Sequence, residues 1–335
     1  MSDFSYIFTV FTPTYNRAHT LPVVFESLLN QTFKTINGDP VFEWLIIDDG
    51  STDETGRLVL RFQKEADFPI RYYYQDNSGK HVAMNKGVRL AAGEFFLPAD
   101  SDDAFVPETL RIFYRYWTEL TEDQKRICAG VNCLCRDGVT GNIIGDVSRM
   151  DPYAFVYDMP YMLKNRLYFD RWGVTRTDIL RKFPFPEIEG VHFFPEGFVW
   201  NRIGRRYKKV NTNEVLRVVY YQKSGMSKNI ISSYIRNSKS HYLYHVMNLL
   251  ENSDLLMRYD IIRFLKEIIQ SGRLGIHCRI KPVNTARILR DKPLIVYLFF
   301  LIFPLASLLA MHDRNIYSSS ICFTVPDASK VSISS

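Results

Sequence analysis

The chain has 335 residues, a mass of 39.2 kDa, 46% apolar residues and 23% charged residues, which excludes a disordered polymer and leaves room for one large or two ordinary domains. Its 42 Lys and Arg against 36 Asp and Glu leave a formal net charge of +6. That mild excess suits anionic small ligands or an anionic membrane surface and gives no ground to expect nucleic acid.

Five cysteines exclude a disulfide-built scaffold. Cys128, Cys133 and Cys135 have no second pair or His at zinc spacing, so they read as reduced thiols of a cytoplasmic-type compartment, with a metal site there the minor alternative.

The N-terminal stretch has no basic lead and no long apolar run, which argues against a signal peptide. Tyr6–Phe11 is a β-branched and aromatic run, a buried strand. Thr20 stands as a helix cap with Pro22 in the first turn, and Leu21, Val24, Phe25, Leu28 and Leu29 form one apolar stripe. Phe42–Asp48 is a second strand, Asp53–Glu65 a helix, Ile70–Gln75 a third strand, and His81–Ala92 a helix ended by Gly93. Phe95–Pro98 is a fourth strand and Pro107–Leu120 a fourth helix. Alternating strands and helices at this spacing predict right-handed crossovers, an α/β fold and a largely parallel sheet.

Ligands of such sheets bind at the carboxyl ends of the strands. There the sequence places Thr12-Pro13-Thr14-Tyr15-Asn16, then Asp48-Asp49-Gly50-Ser51-Thr52-Asp53, then Asn77-Ser78-Gly79-Lys80-His81, then Asp100-Ser101-Asp102-Asp103. No G-x-G-x-x-G follows the first strand and no P-loop signature occurs, which weighs against a dehydrogenase and a P-loop enzyme. Asp100, Asp102 and Asp103 repel one another unless a cation sits among them, and their hard oxygens suit Mg²⁺ or Mn²⁺. Such an ion could bridge two phosphates of a diphosphate. The plainer reading is a solvated acidic loop; the position beside three other polar strand ends favours the ligand site. Asp48 and Asp49 divide likewise between hydrogen bonds to a nucleotide and turn chemistry. Tyr15 could stack on a base.

TPTYNR at Thr12–Arg17, DDGSTD at Asp48–Asp53, SGKHVAMNKG at Ser78–Gly87 and DSDD at Asp100–Asp103 resemble, in order and spacing, the successive motifs of family 2 glycosyltransferases with the GT-A fold. The resemblance covers roughly residues 5–225. It implies a GT-A-type, mostly parallel sheet flanked by helices, and an inverting hexosyl- or N-acetylhexosaminyl-transferase that uses a nucleotide-diphospho-sugar, most often a UDP-sugar, with Mn²⁺ or Mg²⁺. It further implies nucleotide contacts from Pro13, Thr14, Tyr15 and Asp49, donor contacts from Lys80, His81 and Asn85, and a metal at Asp102 and Asp103. In the chemistry this requires, Asp100 is assigned to support the ribose or the loop. His81 has a bland alternative as the start of its helix. The family places its catalytic carboxylate about ninety residues further on, commonly as Glu-Asp before a W-x-R-like helix. Here Pro195-Glu196-Gly197-Phe198-Val199-Trp200-Asn201-Arg202 matches, with Glu196 at the base position and Pro195 where a Glu usually stands. Glu189 and Glu187 are the fallbacks.

Residues 226–317 read as a mainly helical extension to a glycosyltransferase domain at 1–225, and the Ser-rich 318–335 as a poorly ordered tail. Leu294–Met311 is eighteen residues without a charge. As a helix it reaches roughly 27 Å, just short of a bilayer core of about 30 Å. Arg279, Lys281, Arg287, Arg290 and Lys292 precede it, and Pro304 interrupts it. Membrane-surface contact ranks ahead of a soluble core helix, and a true crossing behind both.

The leading expectation is therefore sugar transfer to a saccharide acceptor, lipid-linked, at the inner face of the cell membrane in surface polysaccharide synthesis. The alternatives are a nucleotidyltransferase, for which Thr12–Arg17 lacks the glycines, and a nucleotide- or carbohydrate-binding module with an inactive site.

Overall fold

The structure, a computed structural model, describes residues 4–220 and 234–317. The chain forms two compact units: Met1–Pro186 with Val199–Lys223, and Glu187–Phe198 with Ser224–Ser335. The short segment Glu187–Phe198, expected inside a first domain running to 225, groups with the second unit. The tail expected at 318–335, and the expected domain junction at 225/226, lie outside the described residues.

The first unit opens with β1 (Tyr6–Thr14), α1 (Leu21–Leu29), the two-residue strands β2 (Thr35–Ile36) and β3 (Asp39–Pro40), β4 (Phe42–Asp48), α2 (Thr55–Glu65) and β5 (Ile70–Tyr74). It continues through α3 (Lys80–Leu90), β6 (Gly93–Pro98), β7 (Ala104–Phe105), α4 (Thr109–Thr118), α5 (Glu122–Ile127) and β8 (Cys128–Asp137). Then come β9 (Tyr153–Tyr157), α6 (Asp158–Asn165), β10 (Arg171–Arg176) and α7 (Thr177–Leu180). Helix α8 (Gly197–Arg206) starts in the second unit and ends in the first, ahead of β11 (Lys208–Val219). The second unit adds α9 (Ser238–Tyr259), α10 (Ile261–His277), α11 (Pro282–Ile288) and α12 (Pro293–Tyr317).

The main sheet has strand order β5-β4-β1-β6-β10-β8-β11-β7, with β9 also on β11. Strands β5, β4, β1 and β6 run parallel, as the crossovers require. The sheet as a whole is mixed, however. Strand β10 is antiparallel to both β6 and β8, and β7 and β9 are antiparallel to β11. Only the parallel half had been marked by the regular strand–helix alternation of the first hundred residues.

Burial explains the parallel half. All seven residues of β4 are buried, as expected of a strand covered on both faces. Phe25, Trp44 and Phe62 pack against one another between α1, β4 and α2, the Phe25 and Phe62 rings 4.1 Å apart. The Trp44 indole N–H donates to Thr12 Oγ1 at 2.9 Å, so this large side chain is buried with its polar atom satisfied.

Glu43 is the exception on β4, fully buried. It accepts from the Thr9 hydroxyl at 2.7 Å, the Ala92 N–H at 2.8 Å and the Arg71 guanidinium at 2.9 Å. Removing the carboxylate leaves the Thr9 hydroxyl and the Ala92 N–H without their acceptor, at about 1–3 kcal/mol for each such group. Glu43→Ala is expected to lower the melting temperature by roughly 10 °C, read by circular dichroism. A change within a degree would show that these bonds contribute little net stability.

Three local expectations are corrected. Gly93 does not cap α3; it opens β6, and a Cβ there would meet the Thr9 backbone nitrogen at 2.2 Å. Its N–H donates to Thr9 Oγ1, so the glycine serves a close strand approach. Thr20 occupies the N-cap of α1 without a side-chain cap bond, its hydroxyl donating to the Arg17 carbonyl instead. Helix α2 begins at Thr55 rather than Asp53, because the Asp53 carboxylate accepts from both the Thr55 N–H and its hydroxyl. Cys128, Cys133 and Cys135 are free and buried, and burial pushes all three thiols up, Cys135 to about 12.

Candidate active site

Strands β4, β1 and β6 are parallel neighbours, so their carboxyl ends share one edge of the sheet. The loops that leave this edge are joined by named bonds. Asn16, in the left-handed region at φ 53°, accepts through Oδ1 from the Thr52 N–H at 2.8 Å, while its own N–H donates to Ser51 Oγ at 2.8 Å. The Ala18 N–H donates to Asp53 at 3.1 Å. The loop after β1 is thereby tied to the loop after β4.

Asp49 ties that second loop to the third. Its Oδ1 accepts from Gln75 Nε2 at 2.7 Å and the Ser78 N–H at 2.9 Å, and its Oδ2 accepts from the Gly79 N–H at 2.8 Å. Gly79 sits at φ 95°, a backbone state open to glycine, and presents that N–H directly ahead of α3. A carboxylate offers about four acceptor sites, so about one is left for a base N–H. Asp48 Oδ1 accepts from the Ser51 N–H at 2.8 Å and its Oδ2 from the Tyr72 hydroxyl at 2.6 Å, which is turn chemistry. Burial and the Asp48 charge push the Tyr72 hydroxyl up.

Lys80 ties the third loop to the fourth, its Nζ 2.6 Å from Asp100. Arg217, on β11, then closes the rim. Its guanidinium lies 3.1 Å from Asp100 and forms a close ion pair with Asp103. Burial alone would raise Asp100, but Lys80 and Arg217 together hold it at about 2. Burial pushes the Asp103 carboxyl up; the Arg217 guanidinium opposes this and the Asp100 charge adds to it.

Asp102 differs from its neighbours. It has no ion-pair partner among the described residues, and burial, then the Asp100 charge, push its carboxyl up, with Arg17 opposing. It lines an open cavity of about 520 Å³ together with His19, Glu26, Asn30, Phe105 and Tyr220. A divalent cation would favour the ionised form of Asp102. Among the described residues no group of three His, Cys, Asp or Glu is placed to enclose a metal ion. A cation at Asp102 would draw its other oxygens from water and a ligand, the pattern in which Mg²⁺ takes one or two carboxylates plus waters and substrate phosphates.

Of the other expected residues, Pro13 and Thr14 lie on β1 opposite Ile47 and Asp48. The Thr14 hydroxyl is buried with no hydrogen-bond partner among the described residues. Tyr15 is exposed at the rim. His81 is buried in the first turn of α3, edge-on to Phe185 with centroids 6.4 Å apart. Asn85 is tied inward, donating to the Phe185 carbonyl and accepting from its N–H, both at 2.9 Å. Glu196 stands in the second unit, one residue ahead of α8. The sequence reading missed Asn16 and Arg217. Asn16 lies inside the Thr12–Arg17 motif; Arg217 is 114 residues from Asp103, and no spacing rule joins them.

Residues 9–129 match the family described as Glycosyl transferase family 2. This chain carries a family 2 glycosyltransferase domain. The domain spans β1 to the start of β8, so it contains all four rim loops but neither Arg217 nor Glu196. The chain is 27% identical over 233 residues to the uncharacterized glycosyltransferase YibD of Escherichia coli, covering 66% of this chain and 63% of that one. It spans from about a sixth to under two thirds of the length of the first curated relatives it matches. Among solved structures it is similar in fold to Staphylococcus aureus TarS 1–349 in complex with UDP-GlcNAc, with TM-score 0.57, 19% identity and 92% and 91% of the two chains covered. The mannosyltransferase PcManGT of Pyrobaculum calidifontis, in complex with GDP-Man and Mn²⁺, gives TM-score 0.52 at 16% identity, covering 94% and 88%. These likenesses establish the GT-A fold for the glycosyltransferase domain.

Proposed function

We propose that the chain is an inverting glycosyltransferase that moves a hexosyl or N-acetylhexosaminyl group from a UDP-sugar to an acceptor hydroxyl. The observation that carries this reading is the bonded rim of four strand-end loops around Asp102, a carboxylate with no ion-pair partner among the described residues and facing an open cavity. The nucleotide-sugar ligands of the two fold relatives support it. The Mn²⁺ of the mannosyltransferase supports a divalent cation.

In this reading Tyr15 stacks on the base, Pro13 and Thr14 border it, and the remaining acceptor site of Asp49 takes a base N–H. Lys80, His81 and Asn85 shape the donor loop, and Asp100 supports the ribose. Asp102 holds Mn²⁺ or Mg²⁺ with the diphosphate, and Asp103, already bound by Arg217, holds the metal loop in place. When bound, the cation supplies charge stabilisation of the leaving nucleoside diphosphate. Glu196 takes the acceptor proton as general base, so that the hydroxyl attacks the face opposite the leaving group. The acceptor is a lipid-linked saccharide of a surface polysaccharide, met at the inner face of the cell membrane.

The test is a screen of nucleotide-sugars for release of nucleoside diphosphate, with Mn²⁺ present. Turnover with a UDP-sugar is expected, and UDP should raise the melting temperature because it binds the folded state. Asp102→Asn is expected to cut turnover about 10²-fold or more, since metal stabilisation of a leaving oxygen is worth several kcal/mol. Tight UDP binding without turnover of any donor would replace this reading with that of an inactive binding module, which Pro195 in place of the usual Glu makes the specific rival.

A further inference from the structure

Helix α12 is two-faced. Leu294, Tyr297, Phe300, Leu301, Leu305 and Leu308 are exposed, and their spacing of three to four residues puts them on one stripe. From Leu294 to Leu308 the stripe runs roughly 21 Å at 1.5 Å per residue. The opposite face is packed: Ile295, Phe299, Ala306 and Ala310 are buried. Gly272 of α10 lets Ala306 approach so closely that a Cβ on the glycine would lie 2.9 Å from the alanine Cβ. Near the end of the helix Asp313 is buried and accepts from Arg273 Nε at 2.7 Å, with His277 Nε2 2.9 Å away.

These contacts decide between crossing a bilayer and lying on one. A crossing α12 would carry α10 into the hydrocarbon, and α10 bears Arg263, Lys266, Glu267, Gln270 and Arg273. Charges at that depth are expensive. A helix lying in the interface buries only its apolar face and leaves the other on the protein. The approach to α12 supplies the matching charge. Arg279, Lys281, Arg287 and Arg290 are exposed and Lys292 is half-buried, with Asp291 the one carboxylate between Arg279 and Lys292. Val283 and Arg287, both exposed, lie four residues apart on α11, so the cationic run also presents apolar surface.

We infer that α12 docks flat on an anionic membrane surface, its Leu294–Leu308 stripe in the acyl boundary and the Arg279–Lys292 run on headgroup phosphates. This deepens the membrane-face location proposed above and is measured without donor or acceptor, so either reading can fail while the other stands.

The full chain is sedimented with phosphatidylcholine vesicles, with and without 30 mol % phosphatidylglycerol. Binding to the anionic vesicles at least 10-fold tighter than to the neutral ones is expected, weakening in 0.5 M NaCl. Leu301→Asp with Leu305→Asp should lower anionic-vesicle binding at least 10-fold, with the helical circular dichroism and the UDP-induced thermal shift unchanged. Arg287→Glu with Arg290→Glu should remove most of the preference for anionic lipid without touching the stripe. Resistance of the bound chain to alkaline carbonate extraction would overturn the flat orientation in favour of a crossing. A dimer in light scattering that fails to sediment with either vesicle would assign the stripe to a second copy and overturn the inference.

Discussion

Glu196→Gln is expected to reduce sugar transfer by about 10²–10⁴-fold, the usual contribution of a positioned general base. The amide keeps the size of the side chain and removes its ability to take a proton. Turnover should therefore fall with the donor KM nearly unchanged, and UDP should still raise the melting temperature. The segment that carries Glu196 is anchored on both sides within its own unit. The Phe193 ring lies against His241 of α9 with centroids 5.5 Å apart, and Gly197 packs beside the Tyr244 ring of the same helix. A base so held would offer its carboxylate from a fixed stretch of backbone. If the Gln variant keeps wild-type turnover, Glu196 is not the base, and Glu189 and Glu187, in the same segment, are the next to substitute.

Arg217→Met is expected to be the most destabilising single change at the rim. The Arg217 side chain is 15% exposed and that of Asp103 4%. Replacing the guanidinium leaves Asp103 buried beside Asp100 with no cation on it. Breaking such a pair from one side typically costs about 3–5 kcal/mol, which for a domain of this size is roughly 10 °C of melting temperature. Adding Asp103→Asn removes the stranded charge, so the double variant should regain much of that loss. Recovery is the sign of coupling that a double-mutant cycle measures. A melting temperature within a degree of wild type in the single variant would show that the pair does not hold this loop.

The parts of the molecule legible in the sequence are those written in a few neighbouring residues. Phe42–Asp48 reads as a strand because seven consecutive residues suit burial on both faces, and β4 has those bounds. The turn residues of Asp48–Asp53 and Asn77–Gly79 mark loops because their side chains and backbone offer local hydrogen bonds, and the structure makes those bonds. The antiparallel insertion of β10 between β6 and β8 left no such mark. Strand pairing there joins segments far apart in the chain, and no local period records that.

The acidic loop divides in the same way. Its composition marked Asp100, Asp102 and Asp103 as a place for positive charge, with Asp102 and Asp103 paired as metal ligands and Asp100 set apart from them. The fold separates them: Lys80 and Arg217 bind Asp100, Arg217 binds Asp103, and Asp102 is the one that lines the cavity. The apolar run Leu294–Met311 behaved likewise, with its length and basic flank visible in the residues and its orientation not. Gly272, Arg273 and His277 on α10 settle which face is spent on the protein.

From the residues alone came the class of fold, the main strands and helices of the first 120 residues, the four polar loops and the likeness to a glycosyltransferase family. Only the tertiary structure decided which carboxylate stands open, which cation closes the rim and which side of the last helix is bare. The physical reason is range. Backbone preference and periodicity act over a few residues and survive in any window of sequence, whereas the pairing of one buried charge with another 114 positions away exists only after the chain has packed.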